Sequence, residues 1–341
     1  MTAPVAINAR AAIRRERGGV ERVAGELLQR LPELSPTRYR VLSPPTALAH
    51  RAGHGWEQAA LPLLARGSEL IFSPANSFPL ATRRNVVFVH DLAPLVEPHW
   101  FGGAYGRWHR RLLHSLAWSA RLVIAPSGFV ATQLSERLGL PAERLAVAPP
   151  GVDTRFRAGV DPEPLRRRLG LDRPYVLAVG TDTARKNLGL LDRAAPVLAE
   201  DGLDVVIAGG SRGYMAGERS PQSARRLGYV PESDLPALYA GAAVLALPSL
   251  YEGFGLPCVE AMACGTPVVA SDRGALPETC GDAALYVAPD DPDALARACL
   301  MAAHDAATRQ RLVTAGQGRA ASFTWDRTAR LVDAAIGTAL S

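Results

Sequence analysis

Twelve short apolar runs, separated by longer amphipathic stretches, constrain what this chain can fold into more than any other feature. In the first half they are PVAINA (4–9), YRVLSP (39–44), ELIFSP (69–74), NVVFVHD (85–91), RLVIAPS (121–127) and RLAVAPPG (144–151). In the second they are YVLAVG (175–180), LDVVIAGG (203–210), RRLGYV (225–230), AVLALPS (243–249), PVVASD (267–272) and ALYVAP (284–289). Most are nearly continuous Val, Ile, Leu and Ala, the pattern of strands covered on both faces in a parallel sheet. Stretches between them, such as GGVERVAGELLQRL and LPALYAGA, read as helices. This alternation predicts an α/β protein of two doubly wound, Rossmann-like domains facing a cleft, with ligands at the carboxyl ends of the strands.

The chain's 341 residues suffice for two cores. The boundary is expected in VAPPGVDTRFRAGVDPEPLRRRLG, where prolines and glycines replace any periodic apolar stripe. The expected organisation is an N-terminal domain over 1–152, a linker region over 153–172 and a C-terminal domain over 173–322. A terminal helix, 323–341, would pack back towards the first domain. No apolar run approaches the roughly 20 residues of a membrane-spanning helix. The N-terminus lacks the apolar core of a signal peptide, so the expected location is cytoplasmic. Cys258, Cys264, Cys280 and Cys299 form no CxxC pair and no zinc spacing, and read as reduced thiols.

Charge is uneven. Residues 1–150 carry 18 Arg against 10 acidic residues, and the remainder 20 basic against 23 acidic. A basic N-terminal half suits an acidic substrate or an anionic membrane surface. It is equally what arginine as the default polar residue would produce. No nucleic-acid motif accompanies it, and nucleic acid is not an expected partner. Of the 38 basic residues one alone is lysine, Lys186 in TDTARKNLGL.

The densest chemistry lies in LPSLYEGFGLPCVEAMACGTPVVASDRGALPET, 247–279. Glu252 precedes the turn Gly253-Phe254-Gly255-Leu256, and Glu260 follows eight residues later on the ensuing helix. A glycine turn at a helix N-terminus exposes amides that can receive phosphate or sugar oxygens. Carboxylates beside it can hold hydroxyls. From spacing alone, an ordinary helix start with acidic flanks explains the same residues.

The setting EGFGLPCVEAMACGTPVVAS…GxxE resembles the retaining nucleotide-sugar glycosyltransferases of family GT4, which have the GT-B fold. RGGVERVAGELLQRL, VHDLAPLVEPHWF, APSGFVATQLSERLGLPAERLAVAPPGVD, VGTDTARKNLGLL, LGYVPESDLPALYAGAAVLALPS, GDAALYVAPDDPDALARA and FTWDRTA extend the match along almost the whole chain. The branch it looks most like is the bacterial mannosyltransferase-like one of polysaccharide assembly. The resemblance implies a donor site in the C-terminal domain and an acceptor site in the N-terminal one. Glu252 would lie against the donor sugar, the amides of Gly253, Phe254, Gly255 and Leu256 on sugar and phosphate, and Glu260 on the ribose. Arg185 and Lys186, after Gly180, would neutralise the diphosphate. Gly18 and Gly19 would approach the donor through backbone, and His90 would sit near donor sugar and acceptor. Gly228, Tyr229 and Val230 would lie by the base.

The implied reaction is metal-independent and retaining, needs no cofactor, and takes a GDP-, UDP- or dTDP-sugar, with GDP-mannose the expectation. The acceptor would be a glycan, a lipid-linked saccharide or an aglycone. A GT-B epimerase or hydrolase, or a catalytically silent nucleotide-sugar binder, is the alternative reading. Two departures stand out. Pro150 replaces an Asn common before the linker, and Thr181 follows Gly180 where many members have Arg, so diphosphate neutralisation falls on Arg185 and Lys186. Lys186→Ala is then expected to cut turnover at least about a hundredfold and spare the fold. Asp291-Pro292-Asp293 reads as a helix cap rather than a metal motif, and Ser127 as an N-cap. In 97–122, Trp100, Phe101, Trp108 and Trp118 alternate with Arg107, Arg110 and Arg111. This pattern suits an amphipathic helix packed on the sheet, or one meeting a membrane at its inner face.

Overall fold

Every one of the twelve apolar runs forms a strand. A computed structural model describes residues 4–13, 18–45, 53–210 and 223–341. The first six strands, β1 (Val5–Asn8), β2 (Tyr39–Leu42), β3 (Leu70–Ser73), β4 (Asn85–Phe88), β5 (Ala120–Ala125) and β6 (Leu145–Val147), form a parallel sheet in the order β2-β1-β3-β4-β5-β6. The last six are β7 (Tyr175–Val179), β8 (Asp204–Ala208), β9 (Arg225–Gly228), β10 (Val244–Leu247), β11 (Val268–Ser271) and β12 (Ala284–Val287). They form a second parallel sheet in the order β12-β11-β10-β7-β8-β9. Runs without a charged residue are central: VAIN, LIFS, VLAL and VVAS are buried throughout. RRLG and LAV, with charged or partly exposed positions, lie at edges, where one side of the ladder is open.

The chain divides into two compact units. One comprises Met1–Pro98, Gly103–Gly151 and Thr324–Ser341; the other comprises His99–Gly102 and Val152–Phe323. In the first, Val5, Ile7, Phe72, Phe88 and Ile124 pack one sheet face against the helices Gly19–Leu34 and Trp325–Leu340. Leu112, Leu116 and Leu134 cover the other face. Full burial of each such side chain contributes about 1.5–3 kcal/mol. The terminal helix is capped by Thr324, whose Oγ1 accepts from Arg327 N–H. Its start presses on Gly151, where a Cβ would stand 2.2 Å from Trp325 N. Asp333 then takes Arg38 (2.7 Å) and the Tyr39 hydroxyl (2.5 Å).

In the second unit the residues expected to be linker are packed. Phe156, Leu165 and Leu171 are buried in the same core as Tyr175, Leu245 and Val259. The helix Glu163–Leu169 ends at Gly170 in the left-handed conformation. Three apolar anchors six to nine residues apart show no helical period, which is why the sequence reads there as a connection. Asp291 caps the helix Pro292–His304 and Ser127 the helix Gly128–Leu138 through N–H bonds to Ala294 and Val130. All four cysteines are free and buried.

Candidate active site

Strand order in the second sheet reverses at one place. From β7 the chain builds outward through β8 and β9 on one side and through β10, β11 and β12 on the other. Loops leaving β7 and β10 diverge there at their carboxyl ends, the usual ligand position in such sheets. Beyond β7 and Gly180, residues Ala184–Lys186 form a single 3-10 turn. Asn187 closes it at φ 52°, a left-handed conformation that Asn tolerates better than most residues. Its Nδ2 donates to the carbonyls of Pro248 (3.0 Å) and Pro289 (2.7 Å). Leu250 N–H donates to Arg185 O at 2.8 Å. These bonds lock the basic turn onto the loops after β10 and β12.

Glu252, on that loop, is the hub. Its Oε1 accepts from Lys186 Nζ at 2.6 Å and from Ser249 Oγ at 2.8 Å; its Oε2 accepts from Arg185 at 2.9 Å. Arg185 also donates to Tyr251 O at 2.9 Å. Glu252 and Lys186 are 6% and 7% exposed. Burial alone would raise the Glu252 carboxyl, but the Lys186 and Arg185 charges and the Lys186 and Ser249 hydrogen bonds outweigh it and hold it at about 2. Two cations, Lys186 and Arg185, share the Glu252 carboxylate. Glycines make room for it. A Cβ on Gly180 would meet Lys186 Cε at 2.8 Å. Gly274, at φ +62°, brings its backbone against Glu252, where a Cβ would lie 2.7 Å from the carbonyl oxygen.

The expectation that Lys186→Ala would spare the fold therefore meets a cost in stability. Lys186 is a buried partner of a buried carboxylate, and removing it strands that charge. Sequence reasoning also missed four contributors: Ser249, Asn187, Gly274 and Thr183. Thr183 occupies the position before the turn without a side-chain capping bond, and its Oγ1 is buried without a hydrogen-bond partner. The Thr and Asn flanking ARK were the available signal.

Gly255, at φ 99°, opens the helix Leu256–Ala263. A Cβ there would press on Leu276 at 2.6 Å. Gly253 is buried and Leu256 half-buried, whereas the Phe254 ring turns into the core and meets Phe323 edge-on at 5.3 Å. Glu260 is buried, and its Oε2 accepts from the Tyr239 hydroxyl at 2.8 Å, a partner that spacing did not reveal. Gly228 (φ 67°) ends β9, followed by exposed Tyr229 and half-buried Val230.

The other candidates lie in the first unit. Gly18 and Gly19 start the Gly19–Leu34 helix, and Gly18 N–H already donates to the Glu21 carboxylate at 3.0 Å. His90 follows β4 with its N–H on Asn76 Oδ1 (2.6 Å) and its Nε2 3.1 Å from Pro74 O. A carbonyl only accepts, so Nε2 carries the proton and Nδ1 the lone pair. Burial lowers the His90 pKa, against the opposing pull of Pro74, Asp91 and Glu21, so the neutral ring dominates at pH 7.

Residues 173–305 match the family profile described as Glycosyl transferases group 1, and residues 71–156 that described as Glycosyltransferase Family 4. The chain is 33% identical over 266 residues to O-antigen chain mannosyltransferase B of Escherichia coli, a match covering 74% of this chain and 70% of that one. It is 37% identical over 241 residues to D-inositol 3-phosphate glycosyltransferase of Salinispora tropica, covering 61% of this chain. That match spans about half (49%) of the relative's length. Among solved structures, Anabaena HepE in complex with UDP and glucose superposes with a TM-score of 0.74 at 19% identity, covering 98% and 99% of the two chains.

Two parallel Rossmann-like sheets with this likeness define the GT-B fold. The two profiles and the E. coli relative narrow the class: the chain belongs to glycosyltransferase family 4.

Proposed function

We propose that the protein transfers a hexose from a nucleoside diphosphate sugar to an acceptor hydroxyl with retention of configuration, and that the donor is GDP-mannose. The observation that carries this reading is the buried Lys186–Glu252–Arg185 cluster at the strand-order reversal of the second sheet. Its two adjacent cations suit a diphosphate, and the mannosyltransferase relative favours mannose.

In this account Lys186 and Arg185 turn towards the diphosphate, with the Thr183 hydroxyl as a further donor. Glu252 holds both cations in register and faces the sugar. Amides of Gly253–Leu256 contact sugar and phosphate, Glu260 accepts from the ribose beside Tyr239, and Gly228–Val230 border the base. His90 Nδ1 accepts from a sugar or acceptor hydroxyl, and Gly18–Gly19 approach the donor through backbone. As the C1–phosphate bond breaks, charge develops on the departing oxygen. One preorganised donor aimed at such charge typically supplies roughly 2.7–4 kcal/mol. The acceptor oxygen bonds to C1 on the same face, and its proton passes to the departing phosphate oxygen. No metal or cofactor enters these steps. The acceptor is a glycan or lipid-linked saccharide, met by a cytoplasmic protein peripheral to the membrane.

A thermal-shift panel of GDP-mannose, UDP-glucose and dTDP-glucose tests the donor, followed by NMR of the product's anomeric configuration. Stabilisation by GDP-mannose and an α-linked product from the α-configured donor are expected. No shift with any nucleotide sugar would refute the reading.

A further inference from the structure

Residues 98–135 contain no Asp or Glu. They include the helix Gly103–Ser119, which packs Leu112, Leu113 and Leu116 against the first sheet. Its opposite face is exposed at Arg107, Arg111, His114 and Trp118, spaced by four, three and four residues, and exposed Arg121 continues the line at the start of β5. The four positions fall on one side of a helix. Arg144 extends the charge: its guanidinium donates to the carbonyls of Leu116 and Ala117, and also of Ala120, at the helix's C-terminal end. The exposed carboxylate of Glu143 is the acidic group on that adjoining turn.

Trp118 is the feature that a merely solvated basic face would not require. It is 53% exposed, on a face it shares with Arg107, Arg111 and His114. Trp100, in the same sequence segment, is 6% exposed, so the segment's aromatics have divided between core and surface. An exposed indole set among guanidinium groups matches the interfacial zone of a bilayer. There the ring sits at headgroup depth and arginines meet lipid phosphates. Among the described residues no helix is long and apolar enough to cross a membrane, so contact through this face would be peripheral.

We infer that the Arg107–Arg111–His114–Trp118 face, with Arg121 and Arg144, docks the first unit on a bilayer leaflet rich in anionic lipid. The inference deepens the peripheral placement proposed above by naming its surface and its partner, and rests on that reading only for why such a leaflet should be near. Arginines supply long-range attraction that salt weakens; Trp118 supplies a short-range anchor that salt does not.

The test is co-sedimentation of the full chain with vesicles of phosphatidylcholine containing about one third phosphatidylglycerol, with pure phosphatidylcholine as comparison. Binding to the anionic vesicles alone, lost at high salt, is expected. The Arg107→Glu/Arg111→Glu variant should bind at least about tenfold more weakly, since each reversal removes an attractive charge near the surface and adds a repulsive one. Trp118→Ala should weaken binding several-fold with its salt dependence retained. Unchanged melting temperatures would show that these surface substitutions leave the fold intact. Equal binding by wild type and both variants, or no vesicle binding by wild type, would overturn the inference. So would tighter binding to single-stranded DNA than to vesicles, which would mark a general polyanion surface. Because neither donor nor acceptor is present, the result is independent of the nucleotide-sugar panel, and either reading can fail alone.

Discussion

Replacing Lys186 with Ala removes a cation from a site where its partner cannot reach water, and the cost follows from the geometry. Holding the Glu252 carboxyl at about 2 rather than 4.5 corresponds to about 3 kcal/mol of stability at neutral pH. Lys186, at 2.6 Å, is the foremost of the groups that lower it, with Arg185 and Ser249 sharing the remainder. Lys186→Ala should therefore destabilise the protein by about 2 kcal/mol, below the 3–5 kcal/mol of a completely orphaned charge because Arg185 stays. Glu252→Gln in the same chain removes the stranded charge, so the double variant should be more stable than the sum of the single effects implies. The coupling should be about 1–2 kcal/mol. Urea unfolding of the four proteins at pH 7 measures it.

The contribution of the depressed carboxyl is present above about pH 4.5 and lost as pH falls towards 2. In Lys186→Ala the carboxyl takes up its proton at a higher pH, so the gap between variant and wild type should narrow on acidification. Strict additivity, or a gap that widens in acid, would refute the electrostatic account. Turnover of Lys186→Ala should fall at least about a hundredfold.

Other substitutions probe the supports. Asn187→Ala loses two hydrogen bonds to Pro248 and Pro289 and must hold φ 52° with a less suitable residue, so it should lose about 2–3 kcal/mol in urea unfolding and much of its turnover. Gly274→Ala should be worse tolerated than an exposed Gly→Ala change, because its Cβ would press on the Glu252 backbone. Thr183→Val should raise the donor KM severalfold and leave stability unchanged or improved, since it removes a buried unpaired hydroxyl. A hydrogen bond with Cys280 and burial raise the Cys258 thiol well above its ordinary value, and burial pushes Cys264 and Cys299 up to about 12. Ellman's reagent at pH 8 should find all four thiols slow in the native protein and fast in urea.

The backbone of this account is readable in residue types. VAIN or VVAS cannot be placed anywhere but between two covered faces, and RRLG can only be an edge, so twelve strands and their burial follow from local composition. Edge order and the reversal between β7 and β10 depend on crossovers that no single segment encodes. The solitary Lys186 and the paired glutamates point to the site. The hydrogen-bond partners do not, because Ser249, Asn187 and Tyr239 act through contacts 3 to 102 positions away along the chain. Phe156, Leu165 and Leu171 hide in a proline-rich stretch because their spacing follows a core's shape rather than a helix's period. Trp118 and Trp100 look alike in sequence and differ only in which way the fold turns them.

Calorimetric titration of GDP into the wild-type protein and into Lys186→Arg tests the central claim most directly. Lys186→Arg keeps the charge, but its wider guanidinium must fit where the lysine stem already fills the space beside Gly180. The account predicts specific binding by the wild type and at least about tenfold weaker binding by the variant. Equal affinity in the two proteins, or no GDP, UDP or dTDP binding by the wild type, would contradict it.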